Sequence, residues 1–157
     1  QSKPGEGSSF TIYLPCVKEE RPAPVATKGT LHAHGTETIL LVEDEEAILQ
    51  LGRRALEKYG YAVLAAQSPD CALELAQHHE GTIDLLLSDM VMPGMNGKEL
   101  SHRITTLRPG VKTLYMSGYT ANIIVHNGGV LDAGINFLQK PFSTRALAER
   151  VRAVLDS

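Results

Sequence analysis

ILLVEDEE, residues 39–46, runs four apolar side chains straight into four carboxylates. A short run of Ile, Leu and Val reads as a buried strand. Such a strand normally ends in a turn, and adjacent acids each raise the cost of ionising the next. Two readings compete. In one, the acids open a helix, with Asp44 as N-cap and Glu45 and Glu46 favourable to its dipole. In the other, something cationic sits among them. The helix reading serves Glu45 and Glu46 but leaves out Glu43, which closes the strand.

The rest of the chain weighs in from both sides. EEAILQLGRRALEKYG (45–60) places Ile48, Leu49, Leu56 and Tyr59 near helical spacing and stops on Gly60. YAVLAA (61–66) is a second strand, and SPDCALELAQHH (68–79) a second helix with Ser68 as N-cap and Pro69 at its first position. IDLLLSD (83–89) is a third strand, followed after a Pro/Gly loop by a helix in KELSHRITTLR (98–108). VKTLYMS (111–117) and INFLQ (135–139) are the fourth and fifth strands, and STRALAERVRAVL (143–155) is an amphipathic helix capped by Ser143. Strands rich in Ile, Leu and Val that alternate with helices imply a doubly wound α/β fold on a five-stranded parallel sheet. Ligands of such sheets bind at the carboxyl ends of the strands. Glu43 and Asp44, Asp89, Ser117 and Lys140 all stand there. This convergence lifts the opening acids above a mere helix start.

The chemistry of that group is specific. Clustered carboxylates call for a hard cation such as Mg²⁺, and a lone lysine beside them suits a phosphate oxygen. Hydroxyl, amine and Mg²⁺ around one carboxylate mark that carboxylate as a nucleophile for a phosphoryl group. Composition agrees with a globular domain: 157 residues, 43% hydrophobic, 21% charged, net charge −3. No basic surface recommends nucleic acid, and no stretch reaches the length of a membrane span or forms a signal-peptide core. Cys16 and Cys71 lack metal-ligand spacing and form no disulfide framework; Cys71 reads as a small core residue, and a reducing, cytoplasmic setting is the simplest expectation.

LLVEDEE, LLLSDMVMPGMNG, LYMSGYT and FLQKPF, in this order at successive strand ends, resemble a response-regulator receiver domain over residues 36–157, about three quarters of the chain. The resemblance implies the (βα)5 flavodoxin-like fold and assigns roles. Asp89 would be the phosphoacceptor. Glu43, Asp44 and Asp89, with the Val91 backbone carbonyl, would hold Mg²⁺. Ser117 would donate to a phosphoryl oxygen, and Lys140 would pair with the acceptor or its phosphate. Phe137 and Ser117 would form the switch pair. Two features depart from the family pattern: Glu43 stands where aspartate is common, and Phe137 lacks the hydroxyl of the tyrosine often found there. Val91 and Tyr119 would flank the approach of a hydrolytic water, which predicts a long-lived phosphate. The donor would be a phosphohistidine of a kinase or phosphotransfer domain. The Lys140–Pro141 bond should be cis, aiming Lys140 back over the strand ends. TANIIVHNGGVLDAG (120–134) should be a short or mobile helix, because β-branched residues precede Asn127, Gly128 and Gly129.

Ahead of this domain, CVKEERPAPVATKGTLHAHG (16–35) has Pro22, Pro24 and few large apolar groups and reads as a flexible linker. His32 and His34 read as linker or surface residues. GEGSSFTIYLP (5–15) alternates Phe10, Ile12 and Leu14 with Thr11 and Tyr13, as a half-buried strand does. It resembles the closing strand of a histidine-kinase ATP-binding domain. That resemblance implies a C-terminal piece of a hybrid sensor kinase that neither binds ATP nor phosphorylates itself with it, and that ends without a DNA-binding output domain. Two other functions compete. A phosphohydrolase with an aspartate nucleophile would need a second acid two residues on, where Val91 stands. A receiver-like module that binds partners without phosphorylation is the other alternative.

Overall fold

The computed structural model describes residues 2, 3, 5, 7, 8, 10–13, 33–118 and 135–157. At the N-terminus, β1 (Ser2–Lys3) and β2 (Gly7–Ser8) pair as a small antiparallel hairpin. Beyond it come β3 (Thr38–Val42), α1 (Glu46–Lys58), β4 (Ala62–Ala66), α2 (Pro69–His78), β5 (Leu85–Asp89), α3 (Gly97–Leu107), β6 (Lys112–Ser117), β7 (Asn136–Gln139) and α4 (Thr144–Leu155). The five strands β3 to β7 form one parallel sheet in the order β4-β3-β5-β6-β7. This is the doubly wound α/β sheet expected from the alternation of strands and helices.

Period-2 alternation divides each central strand between two cores. Ile39, Leu41, Leu85 and Leu87 face one cluster with Leu49 and Leu56 of α1 and Leu147 and Val151 of α4. Leu40, Val42 and Leu86 face the other, with Ala72 and Ala76 of α2 and Leu100 and Ile104 of α3. Strands buried on both faces must be apolar throughout, which is why ILLV and LLL show no polar alternation. Because the chain passes from β3 to the edge strand β4 and then returns to β5 on the other side of β3, the winding reverses between β3 and β5. A crevice opens there at the carboxyl ends.

Local chemistry sets the helix ends. Ser68 accepts from the Cys71 N–H at 3.2 Å, Asn96 from Glu99 at 2.9 Å and Ser143 from Ala146 at 3.1 Å. The carboxyl end of α2 is held from a distance in sequence. Arg108 donates through Nε to the Ala76 carbonyl at 2.7 Å, through Nη1 to Gly81 at 3.3 Å and through Nη2 to His79. One guanidinium thus serves the orphan carbonyls that terminate α2. Arg108→Ala should cost about 2–3 kcal/mol, the usual loss for charge-assisted hydrogen bonds. A urea unfolding free energy within about 0.5 kcal/mol of the parent would show that the clamp contributes little.

Three expectations need correction. Residues 10–13 form no strand, and Phe10, Ile12 and Tyr13 are 89, 80 and 91% exposed. A strand needs a neighbour for its N–H and C=O groups, and no described residue supplies one there. Second, the linker reading of residues 16–35 extends too far. Ala33 is buried, the Gly35 N–H donates to the Tyr59 carbonyl at 3.1 Å, and the His34 ring lies 5.4 Å from that of Tyr59. Glu37 secures this strap: it accepts from the Thr36 N–H at 2.9 Å and pairs with Arg152 of α4 at 2.7 Å. Gly60 takes φ +92°, and a Cβ there would stand 2.6 Å from the Gly35 carbonyl, so only glycine lets the strap lie this close. Third, the N-cap of α1 is Glu45, not Asp44. The Lys140–Pro141 bond is cis, as expected. Leu14, Cys16, His32, Tyr119 and the expected helix at 120–134 lie outside the described residues.

Candidate functional site

Each group in the crevice stands where a strand ends. Glu43 follows β3, and its N–H continues the sheet by donating to the Ala66 carbonyl at 3.1 Å. Asp89 is the last residue of β5, and Ser117, buried, the last of β6. Lys140 directly follows β7; its N–H donates to the Ser117 carbonyl at 2.8 Å, and its side chain reaches back across the sheet edge. Parallel strands bring these four positions to one pole although almost one hundred residues separate Glu43 from Lys140.

Glu43, Asp44 and Asp89 each present a carboxylate oxygen within 4.8 Å of the others. Lys140 Nζ donates to Glu43 Oε2 at 2.6 Å and to Asp89 Oδ2 at 2.9 Å. The Val91 N–H makes a long contact of 3.4 Å to Asp89 Oδ1. Three carboxylates against one ammonium leave excess negative charge, and the three grouped carboxylates offer hard oxygen atoms. That set fits Mg²⁺, which favours carboxylate oxygens and retains water on its open positions.

Burial grades the members of the cluster. The Glu43 side chain is only 2% exposed, whereas Asp44 is exposed at the rim. Burial raises the Glu43 pKa; the hydrogen bond and charge of Lys140 oppose this, and Asp89 and Asp44 reinforce it. Burial pulls the Lys140 ammonium downward, but its bonds to Glu43 and Asp89 outweigh that and leave its pKa raised. Lys140 is therefore held charged between two acids. Asp44 is not spent on capping, since Glu45 is the N-cap of α1. Val91 is 62% exposed beside Asp89, and Phe137 is half-buried on β7, in register with Tyr115.

Two residues of this region carried no role in the sequence reading. Ser88, fully buried, donates its hydroxyl to the Asp89 carbonyl at 2.8 Å. Gly97 opens α3 against the backbone of Asp89 and Met90, and its N–H donates to the Met90 carbonyl at 3.0 Å. The available signal was a hydroxyl at the end of the apolar LLL run and a glycine at the first position of a helix.

Comparison with known proteins agrees with the fold. A family profile described as the response regulator receiver domain matches residues 39–152. The chain is 39% identical to the sensor kinase CckA of Brucella abortus (strain 2308) over 99% of this chain and 17% of that protein. It is 32% identical to the aerobic respiration control sensor protein ArcB of Escherichia coli (strain K12), over 99% of this chain and 20% of that protein. The response regulator receiver protein CpdR of Brucella abortus is 34% identical, with 74% of this chain and 95% of that protein covered. A crystal structure of the receiver domain from the hybrid histidine kinase CckA superposes with a TM-score of 0.63 at 37% identity, covering 75% of this chain and 98% of that one. The Vibrio cholerae chemotaxis protein CheY4 superposes at 0.65 with 26% identity, covering 76% of this chain and 99% of that one. The chain spans only 17 to 20% of the length of the two sensor proteins. Among the described residues, no helix is long and apolar enough to cross a membrane.

Proposed function

The chain belongs to the response regulator receiver family, and on that premise we propose that it takes a phosphoryl group from a phosphohistidine onto Asp89. An oxygen of the Asp89 carboxylate forms the new O–P bond, while the N–P bond breaks and the imidazole leaves with the bonding pair. The observation that carries this reading is the Asp89 carboxylate at the switch point of the sheet, 2.9 Å from Lys140 Nζ and grouped with Glu43 and Asp44.

Lys140 orients the acceptor and then holds a phosphoryl oxygen, and Ser117 donates to another. Glu43, Asp44, Asp89 and the Val91 carbonyl would hold Mg²⁺. When bound, that ion supplies positive charge opposite the transferring phosphoryl oxygens. Phe137 and Ser117 serve as the switch, through ring packing without a tyrosine hydroxyl. For the longer polypeptide we propose a hybrid sensor kinase. Its ATP-binding domain would contribute residues 1–15 as a closing segment, joined by a linker to the receiver. The alignments with CckA and ArcB support this, because they extend over nearly the whole chain, well beyond the profile match at 39–152.

Incubation with acetyl phosphate and Mg²⁺, alongside Asp89→Asn, tests the proposal. Stable label on the parent and none on the variant is the expected outcome. Release of inorganic phosphate at many turnovers would mark a phosphohydrolase. No labelling of folded parent would mark a module that binds partners without phosphorylation.

The lifetime of the label carries a separate expectation. Exposed Val91 offers no polar group to hold a water in line with phosphorus, and positioning is most of what a protein contributes to that hydrolysis. Val91→Asn should hasten decay of labelled protein about tenfold once the donor is removed, a typical share of positioning. An unchanged decay rate would show that residue 91 does not set the lifetime.

A further inference from the structure

Asp89 is the last residue of β5, so the sheet ladder restrains its backbone chiefly from the preceding side. Transfer nevertheless needs its carboxylate held to a fraction of an ångström. Two contacts supply that restraint from outside the ladder. The buried Ser88 hydroxyl donates to the Asp89 carbonyl at 2.8 Å. On the same oxygen, α3 closes without a side chain in between: a Cβ on Gly97 would stand 2.4 Å from the Asp89 carbonyl oxygen, 3.2 Å from Met90 Cα and 3.3 Å from the Asp89 carbonyl carbon. The Gly97 N–H, bonded to the Met90 carbonyl at 3.0 Å, and the Met90 N–H, bonded to the Met116 carbonyl at 2.9 Å, lock the next peptide.

We propose that Ser88 and Gly97 are positioning residues, which brace the Asp89 main chain and thereby aim its carboxylate; this rests on the reading of Asp89 as phosphoacceptor. Neither touches the incoming group. Their arrangement is economical: one side chain is present to hold the carbonyl, and another is absent so that a helix end can bear on it. An alanine at 97 must open its contact to the Asp89 carbonyl by about 1 Å, and a displacement of that size costs on the order of 100-fold in an oriented reaction. Alanine is also the better helix former. A change confined to stability would therefore not imitate a change in aim.

The test uses the whole chain as Gly97→Ala and Ser88→Ala, labelled from acetyl phosphate in Mg²⁺. In that reaction the donor P–O bond breaks, acetate leaves with the electron pair, and an Asp89 oxygen forms the new bond. Rates are followed against donor concentration. Unfolding midpoints and amide hydrogen exchange are recorded on metal-free protein. The expected result for Gly97→Ala is a saturating rate lowered 10- to 100-fold. Half-saturating donor concentration should stay within threefold, and exchange should be faster at Met90 and Gly97 while remote amides are unchanged. Ser88→Ala should show the same pattern with a loss of about three- to tenfold. Parent-like saturating rates, a loss confined to half-saturation, or a loss matching the unfolded fraction would overturn the proposal. Should Gly97→Ala not fold, Ser88→Ala decides by the same criteria. An unlabelled folded parent overturns the acceptor reading and this inference with it, whereas a labelled parent with equally labelled variants overturns this inference alone.

Discussion

Lys140→Met is expected to abolish labelling of Asp89 and, separately, to destabilise the metal-free protein most strongly near neutral pH. The first effect follows from losing the one ammonium that, among the described residues, touches Asp89, the proposed acceptor; removal of one preorganised charge partner costs on the order of 100- to 1,000-fold in rate. The second follows from Glu43, which is 2% exposed and depends on Lys140 at 2.6 Å. Removing one member of a buried pair strands the other, at about 3–5 kcal/mol. The pH dependence has a definite sign. Burial already raises the Glu43 pKa above its ordinary 4.5, and Lys140 is the group that opposes the rise. In the variant, the folded protein binds the Glu43 proton more tightly than the unfolded chain does. Its stability is therefore fullest below about pH 4.5, where Glu43 is protonated in both states. It falls as pH climbs through the raised folded value. Denaturant unfolding at pH 4.5 and 7.5 reads this directly. Adding Glu43→Gln should restore much of the stability at pH 7.5 without restoring labelling. A single variant as stable as the parent at both pH values would show that the pair is not coupled to folding.

Asp44→Ala separates the two effects that Lys140→Met combines. Asp44 is exposed and caps no helix, since Glu45 is the N-cap of α1. Removing its charge relieves repulsion against Glu43 and Asp89. The metal-free protein should be as stable as the parent to within about 0.5 kcal/mol, or slightly more stable. Labelling should fall by at least about 100-fold, because one of three carboxylates proposed to hold Mg²⁺ is gone. A parallel titration should show that raising Mg²⁺ recovers part of the rate. If Asp44→Ala labels as fast as the parent at limiting Mg²⁺, the proposed metal site is wrong.

What could be read in advance divides along a physical line. Buried parallel strands announce themselves because both faces must be apolar, so ILLV, LLL and LYM stood out. The doubly wound alternation then carries Glu43, Asp89, Ser117 and Lys140 to one pole without any knowledge of side-chain geometry. Features that depend on three-dimensional approach did not stand out. Arg108 closes the end of α2 from beyond α3, and nothing in its own neighbourhood marks it as a cap. Ala33 to Gly35 resemble linker in composition, yet they pack because Tyr59, Gly60 and Arg152 supply a surface. The alternation of Phe10, Ile12 and Leu14 with Thr11 and Tyr13 is a true strand signal by pattern; pattern describes which face is apolar, not whether a neighbouring strand is available. Asp44 illustrates the ambiguity of adjacent acids. Several could begin a helix, and only backbone geometry shows that Glu45 does.

The strap formed by residues 33–37 has a consequence for traffic to Asp89, the proposed acceptor. It is anchored at the amino-terminal pole of the sheet, against Tyr59 and Arg152, whereas Asp89 opens at the carboxyl pole. A strand of five residues spans about 16 Å, so chain arriving through residue 33 is delivered to the far side of the domain from the reaction. In the proposed hybrid kinase, a donor carried on that chain would start with no advantage of nearness and would have to travel around the receiver to present its histidine. Its effective concentration at Asp89 is then governed by tether reach, and cleaving or lengthening the tether should alter the encounter frequency without altering the chemistry that follows.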